Sequence, residues 1–145
     1  MNSELIDYLS ALGAPEALQS RVAELVASYE AVLDDDIGAW FVSEYVDEPD
    51  QRTFESLWLF TATFAMEAQL LGVDEDHFDF VPFKTGIKQV IVEKRSFDMV
   101  QPTSASRMTV EAWFEDRRYG VMRATGDNCG ALLEILKTVL LPNAG

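Results

Sequence analysis

Seven basic side chains, Lys84, Lys88, Lys94, Arg95, Arg117, Arg118 and Arg123, fall within forty positions of one another in an otherwise acidic chain. Lys88 and Lys94 are an even number of residues apart, so on an unbroken strand they share a face. A face of this kind suits an acidic protein segment, including the acidic N-terminal half of a second copy. The plainer alternative is the charged outer side of a sheet. Trp113 is the aromatic that best fits beside it. In the run Met108 to Phe114, Met108, Val110, Ala112 and Phe114 alternate with Thr109, Glu111, Trp113. If the first set is inside, Trp113 faces out and becomes an interface anchor. The expected interface residues are therefore Trp113, Lys88, Lys94, Arg95, Arg117 and Arg118.

Other chemistry is sparse. His77 is the single histidine, which excludes a catalytic triad and any two-histidine metal site. The loop Asp74, Glu75, Asp76, His77 lacks the glycine and distal glutamate of a calcium loop, and the Asp34 to Asp36 run is no better placed. With 25 acidic residues, some carboxylate pair will always be near. Glu67 and Glu111 stand out only because each interrupts an apolar strand, and simple alternation turns both to solvent. Cys129 lies in a first helical turn, where a thiol can acidify, but no base is identifiable beside it and a small buried residue is its natural role. No nucleophile, base and oxyanion donor can be assembled, so no catalytic, metal or cofactor-binding residue is assigned and the chain is read as non-enzymatic.

Composition narrows the partners. The net charge is −14. Nucleic acid is a poor partner for such a chain, because phosphate binding relies on clustered Lys and Arg; anionic membranes are excluded on the same ground. Residues 1 to 82 carry eighteen acids and two bases, and residues 83 to 145 seven acids and nine bases, so a weakly basic face is set against an acidic body. An apolar content of 48% with nine Phe, four Tyr and three Trp supplies a core. The lone cysteine cannot form an internal disulfide, and Glu4 and Asp7 interrupt any secretory leader. A reducing cytoplasm is the expected compartment.

The elements that must position these residues are α and then β. Ser3 caps a helix over 4–12, with Gly13 as its stop. A second helix begins after Pro15 and carries Leu18, Val22, Leu25, Val26, Tyr29 and Leu33 at helical spacing. Strands are predicted over 37–46, 53–63, 64–71, 78–83, 87–94, 108–114 and 119–124. Pro82 suits an edge, and Leu57, Trp58, Leu59 and Phe60 demand cover on both faces. Thr125, Gly126, Asp127 and Asn128 then supply an N-cap for an amphipathic helix through Leu132, Leu133, Leu136, Val139 and Leu140. The whole is one α+β domain over 1–145.

The order of seven antiparallel strands followed by a C-terminal helix resembles a bacterial pleckstrin-homology-like domain of unknown function. The likeness is carried by Leu59, Phe60 and Thr61, by Val81, Pro82, Phe83, Lys84 and Ile87, by Val92 and Glu93, and by Phe97 and Asp98. It implies residues 1–36 as a helical N-terminal extension and 37–141 as a seven-stranded antiparallel barrel or sheet capped by the final helix. The chain departs from the pattern at Phe64 and Ala65. The loop Asp47 to Arg52 has three acids and one Arg, which disfavours phosphoinositide binding. What the resemblance implies in function is a cytoplasmic binding or scaffold domain acting through protein contacts or self-association, as a homo-oligomer. Two alternatives stand beside it: a small acidic secretion-type chaperone, and a carrier of an apolar small ligand.

Overall fold

A computed structural model of the chain describes residues 2–32, 36–47, 51–71, 78–82, 87–95, 104–114 and 119–141. Two helices lead, α1 (Asn2–Ala11) and α2 (Glu16–Val32). Gly13, at φ 82°, ends the first as the sequence predicts. A left-handed residue there lets the Ala14 N–H reach back to the Leu9 carbonyl at 3.0 Å, satisfying one of the open C-terminal oxygens.

Seven strands follow: β1 (Ala39–Asp47), β2 (Gln51–Phe60), β3 (Phe64–Gln69), β4 (Phe78–Pro82), β5 (Ile87–Arg95), β6 (Arg107–Phe114) and β7 (Tyr119–Thr125). They do not close into the barrel that the resemblance implied. They form two separate antiparallel sheets, in the orders β1-β2-β3-β4 and β5-β6-β7. Alternation is common to barrels and open sheets and does not specify which edges pair. Helix α3 (Asn128–Ile135) ends the fold and runs into a π-helical turn over Leu136–Leu140.

The double-sided strand β2 lies between two cores. Leu57 and Leu59 join Leu5, Leu9, Val22 and Leu25 of the helices, so α1 and α2 cover one face of the first sheet. Trp58 and Phe60 turn the other way, against Met108, Val110, Phe114 and Met122 of the second sheet, with Leu132 of α3 in the same cluster. The layers are therefore helices, first sheet, and second sheet with α3. Burying each of these large side chains contributes about 1.5–3 kcal/mol.

Gly120 of β7 shows how closely the layers approach. A Cβ placed there would lie 2.2 Å from Cη2 of Trp58, whose ring occupies the space a side chain would need. Gly120→Ala is expected to destabilise the protein by about 1–3 kcal/mol, read as the midpoint of urea unfolding. The double variant with Trp58→Leu should show a smaller loss than the two single losses added together, because the shorter side chain vacates the contested space.

Candidate functional site

Two features of the fold gather polar chemistry. The first is a buried seam where β1 meets β7. The β1–β2 register slips between Ser43 and Glu44, leaving Glu55 of β2 unopposed, and both Ser43 and Glu44 are fully buried. Ser43 Oγ accepts from the Arg123 N–H at 2.9 Å and donates to Glu55 Oε1 at 2.6 Å. Glu44 accepts from the Thr125 N–H at 2.8 Å, from the Thr125 hydroxyl, and from Asn128 Nδ2 at 2.8 Å. Arg52 Nε faces its other side at 3.1 Å. β1 thus bonds the edge of β7 through its side chains.

The same cluster reaches the helices. Tyr8 Oη donates to Asn128 Oδ1 at 2.6 Å and accepts from the Val42 N–H at 3.1 Å, while Arg52 Nη1 donates to the Leu12 carbonyl at 2.6 Å. Burial pushes the Tyr8 phenol above its ordinary range, and the nearby Glu44 carboxylate adds to the effect. A carboxylate offers about four lone-pair positions. Glu44 has all of them engaged, so its place in the fold is that of a structural anchor. Beside it opens a cleft of about 690 Å³ lined in part by Arg52, Arg107, Ser104, Thr125 and Asp127.

The second feature is strand β5. Among the described residues it has β6 on one side only, and Ile91 and Val92, 37% and 38% exposed, leave apolar surface on both of its faces. Lys88, Lys94 and Arg95 are exposed along it. The β5–β6 register slips at Lys88, which is left without a partner between Ile87 and Gln89. The strand is therefore broken there, and the spacing of Lys88 and Lys94 does not place them on one face. Lys94 stands opposite Met108, on the side of the buried residues of β6; Arg95 stands opposite Arg107, on the outer side.

The remaining expectations sort as follows. Trp113 lies on the outer side of β6, half-buried, with Nε1 donating to Glu111 Oε1 at 2.5 Å. Glu67 is half-buried rather than fully exposed, at the rim of a pocket that also includes Glu55 and Arg123. Arg123 pairs with Glu55 at 3.2 Å and so belongs to the seam. Arg52, expected in the first hairpin loop, is in β2 and turns toward Glu44. Cys129 is buried, and burial with the Glu44 carboxylate pushes its thiol up to about 11. Lys84, Arg117, Arg118, Asp34, Asp35 and the Asp74 to His77 loop lie outside the described residues. Among the described residues no three His, Cys, Asp or Glu side chains gather as a metal site would need. Among the described residues no helix is long and apolar enough to cross a membrane.

Sequence reasoning missed Glu44, one of many acids, and Arg107, a lone base between two strands. The signal for the first was Ser43 and Glu44 side by side in an aromatic and branched strand, where two successive polar residues break alternation. Comparison with known proteins adds no family: no family model matches the chain, and neither a curated protein nor a solved structure is significantly similar to it.

Two outcomes are expected from this geometry. Glu44→Gln should cost about 3–5 kcal/mol, since it leaves Arg52 without its counter-charge in a buried site, and pairing it with Arg52→Met should recover part of that loss in denaturant unfolding. Cys129 titrates higher folded than unfolded, so its contribution to stability is complete below about pH 9 and is lost as pH rises through about 11. Tyr8 shifts in the same direction. The midpoint of thermal unfolding should therefore fall above about pH 9, less steeply in Cys129→Ala, and the native thiol should resist alkylation at pH 8.

Proposed function

We propose that this protein is a non-enzymatic binding domain that works through protein contacts, and that β5 is the element that takes the partner. One observation carries the reading: β5 is a nine-residue strand at a sheet edge with apolar side chains exposed on both faces. Edge strands offer unpaired backbone N–H and C=O groups, and a partner strand supplies the matching bonds while alternate side chains give selectivity. The opposite edge of the same sheet, β7, is covered by Ser43 and Glu44 of β1. The contrast favours β5 as the working edge.

Other readings find less support in the described residues. The one carboxylate held at the centre of the fold has its acceptor positions engaged, and the buried thiol is held in its protonated form, which removes the two most obvious catalytic groups. The 690 Å³ cleft mixes Leu12, Val46 and Ala105 with two arginines and an aspartate, so an apolar cargo there would lie against those charges. A chaperone would use the same exposed strand on an unfolded client and differs in the partner rather than the surface. A single buried cysteine suits a reducing cytoplasm.

The test is comparative. Ile91→Asp and Val92→Asp alter partly exposed strand positions and should lower stability by about 1–2 kcal/mol while leaving the chain folded. Proteins retained by immobilised parent protein from a lysate of the source cell should be lost on both variants and kept on Glu134→Gln, an exposed change on α3. A retention profile indifferent to both β5 variants would sink the proposal.

A further inference from the structure

Arg95 and Arg107 stand directly opposite each other across β5 and β6, and Thr125 of β7 continues the row. Like charges so placed destabilise a sheet. Neither guanidinium pairs with a carboxylate among the described residues; Arg107 Nη1 donates instead to the Ser104 and Ser106 carbonyls at 2.9 and 2.8 Å, which hold it in place. Glu93 shares the outer face two residues from Arg95 but faces Thr109. A pocket of about 340 Å³ opens at this end of the strand, with Lys94, Arg95 and Arg107 in its lining. β5 therefore carries Lys88, Lys94 and Arg95 against a single acid, within a chain whose net charge is −14.

We infer that the segment accepted by β5 is acidic where it meets Lys94 and Arg95 and apolar where it meets Val92, Ile91 and Val90. This rests on the strand-addition reading above and names its partner. Successive residues of a paired strand point to opposite faces. Two consecutive carboxylates would thus reach Lys94 on one side and the Arg95–Arg107 row on the other. One polar residue then passes Glu93, and three apolar residues cover the exposed part of the strand. A second copy of β5 is a worse occupant, because it carries the single acid Glu93 and no two consecutive carboxylates to meet Lys94 and Arg95.

The overall negative charge repels any acidic segment at long range, so adding salt does not isolate the local preference. The test compares peptides instead. A fluorescent peptide Glu-Glu-Lys-Val-Ile-Val-Thr, written for antiparallel pairing and flanked by Gly-Ser, is titrated with the full chain beside its Gln-Gln counterpart. The acidic peptide is expected to bind about 2–30-fold more tightly, as two partly exposed ion pairs would provide. Arg95→Glu should remove or reverse the preference without lowering the thermal midpoint, since Arg95 is exposed and the change sets a carboxylate opposite Arg107. Equal binding of the two peptides overturns the acidic preference and leaves strand addition standing. Binding of neither at millimolar protein overturns strand addition itself. A concentration-dependent dimer dispersed by Val92→Asp would make a second copy the occupant and overturn the inference.

Discussion

The carboxylate of Glu44 is the contact on which the two-sheet arrangement depends. An ionised carboxylate taken out of water costs several kcal/mol unless its lone pairs are met. Here they are met by donors from three different places: β2 through Arg52, the end of β7 through Thr125, and the first residue of α3 through Asn128. Tyr8 brings α1 into the same cluster by way of Asn128 and the backbone of Val42. None of these elements can move far without stranding a buried polar group. The apolar cores set the layers at their spacing, and the Glu44 cluster sets their register.

That arrangement also explains why the strands remain in two sheets. For β1 and β7 to join by backbone bonds, the edge N–H groups of Arg123 and Thr125 would have to meet carbonyls of β1. They meet the side chains of Ser43 and Glu44 instead. The register slip that leaves Glu55 unopposed occurs at this point of the β1–β2 pairing, and Glu55 closes the arrangement by accepting from Ser43 and pairing with Arg123. A bulge bends its strand and alters its twist. The result is an edge sealed by side chains, which removes one site of unwanted strand pairing, while among the described residues no strand covers the far edge of β5.

Much of the local structure was legible in the sequence and most of the tertiary structure was not. The alternation of Met108 to Phe114 reports one buried face, and the four-residue apolar run Leu57 to Phe60 reports burial on two. Both are properties of a strand and its immediate cover. Which edges meet is a property of residues far apart in the chain, and the barrel implied by likeness had no local signal against it. Thr125 and Asn128 were misleading for a physical reason. Hydroxyl and amide residues at the start of a helix cap it in the usual case. Here Asp127 holds the cap position without a side-chain bond, and the flanking Thr125 and Asn128 are turned to Glu44. The basic face was legible as charge but not as geometry, because the slip at Lys88 resets the parity on which the spacing argument rests.

The division of charge along the chain becomes a division between layers. Both helices and the first sheet come from the strongly acidic residues 1–82, and the second sheet and α3 come from residues with a small basic excess. The ion pairs Arg52–Glu44 and Arg123–Glu55 lie at the junction. Within the second sheet, β7 is the strand against β1, and β5 is separated from that seam by β6 and β7. At about 4.8 Å per strand, β5 stands roughly 10 Å beyond it, about one Debye length at physiological salt. The cations of β5 thus stand apart from the Glu44 and Glu55 carboxylates that pair with arginines at the seam. Had the strand order placed β5 against β1, its cations would have stood beside those carboxylates, and the strand proposed to take a partner would have lost its charge contrast with the first sheet.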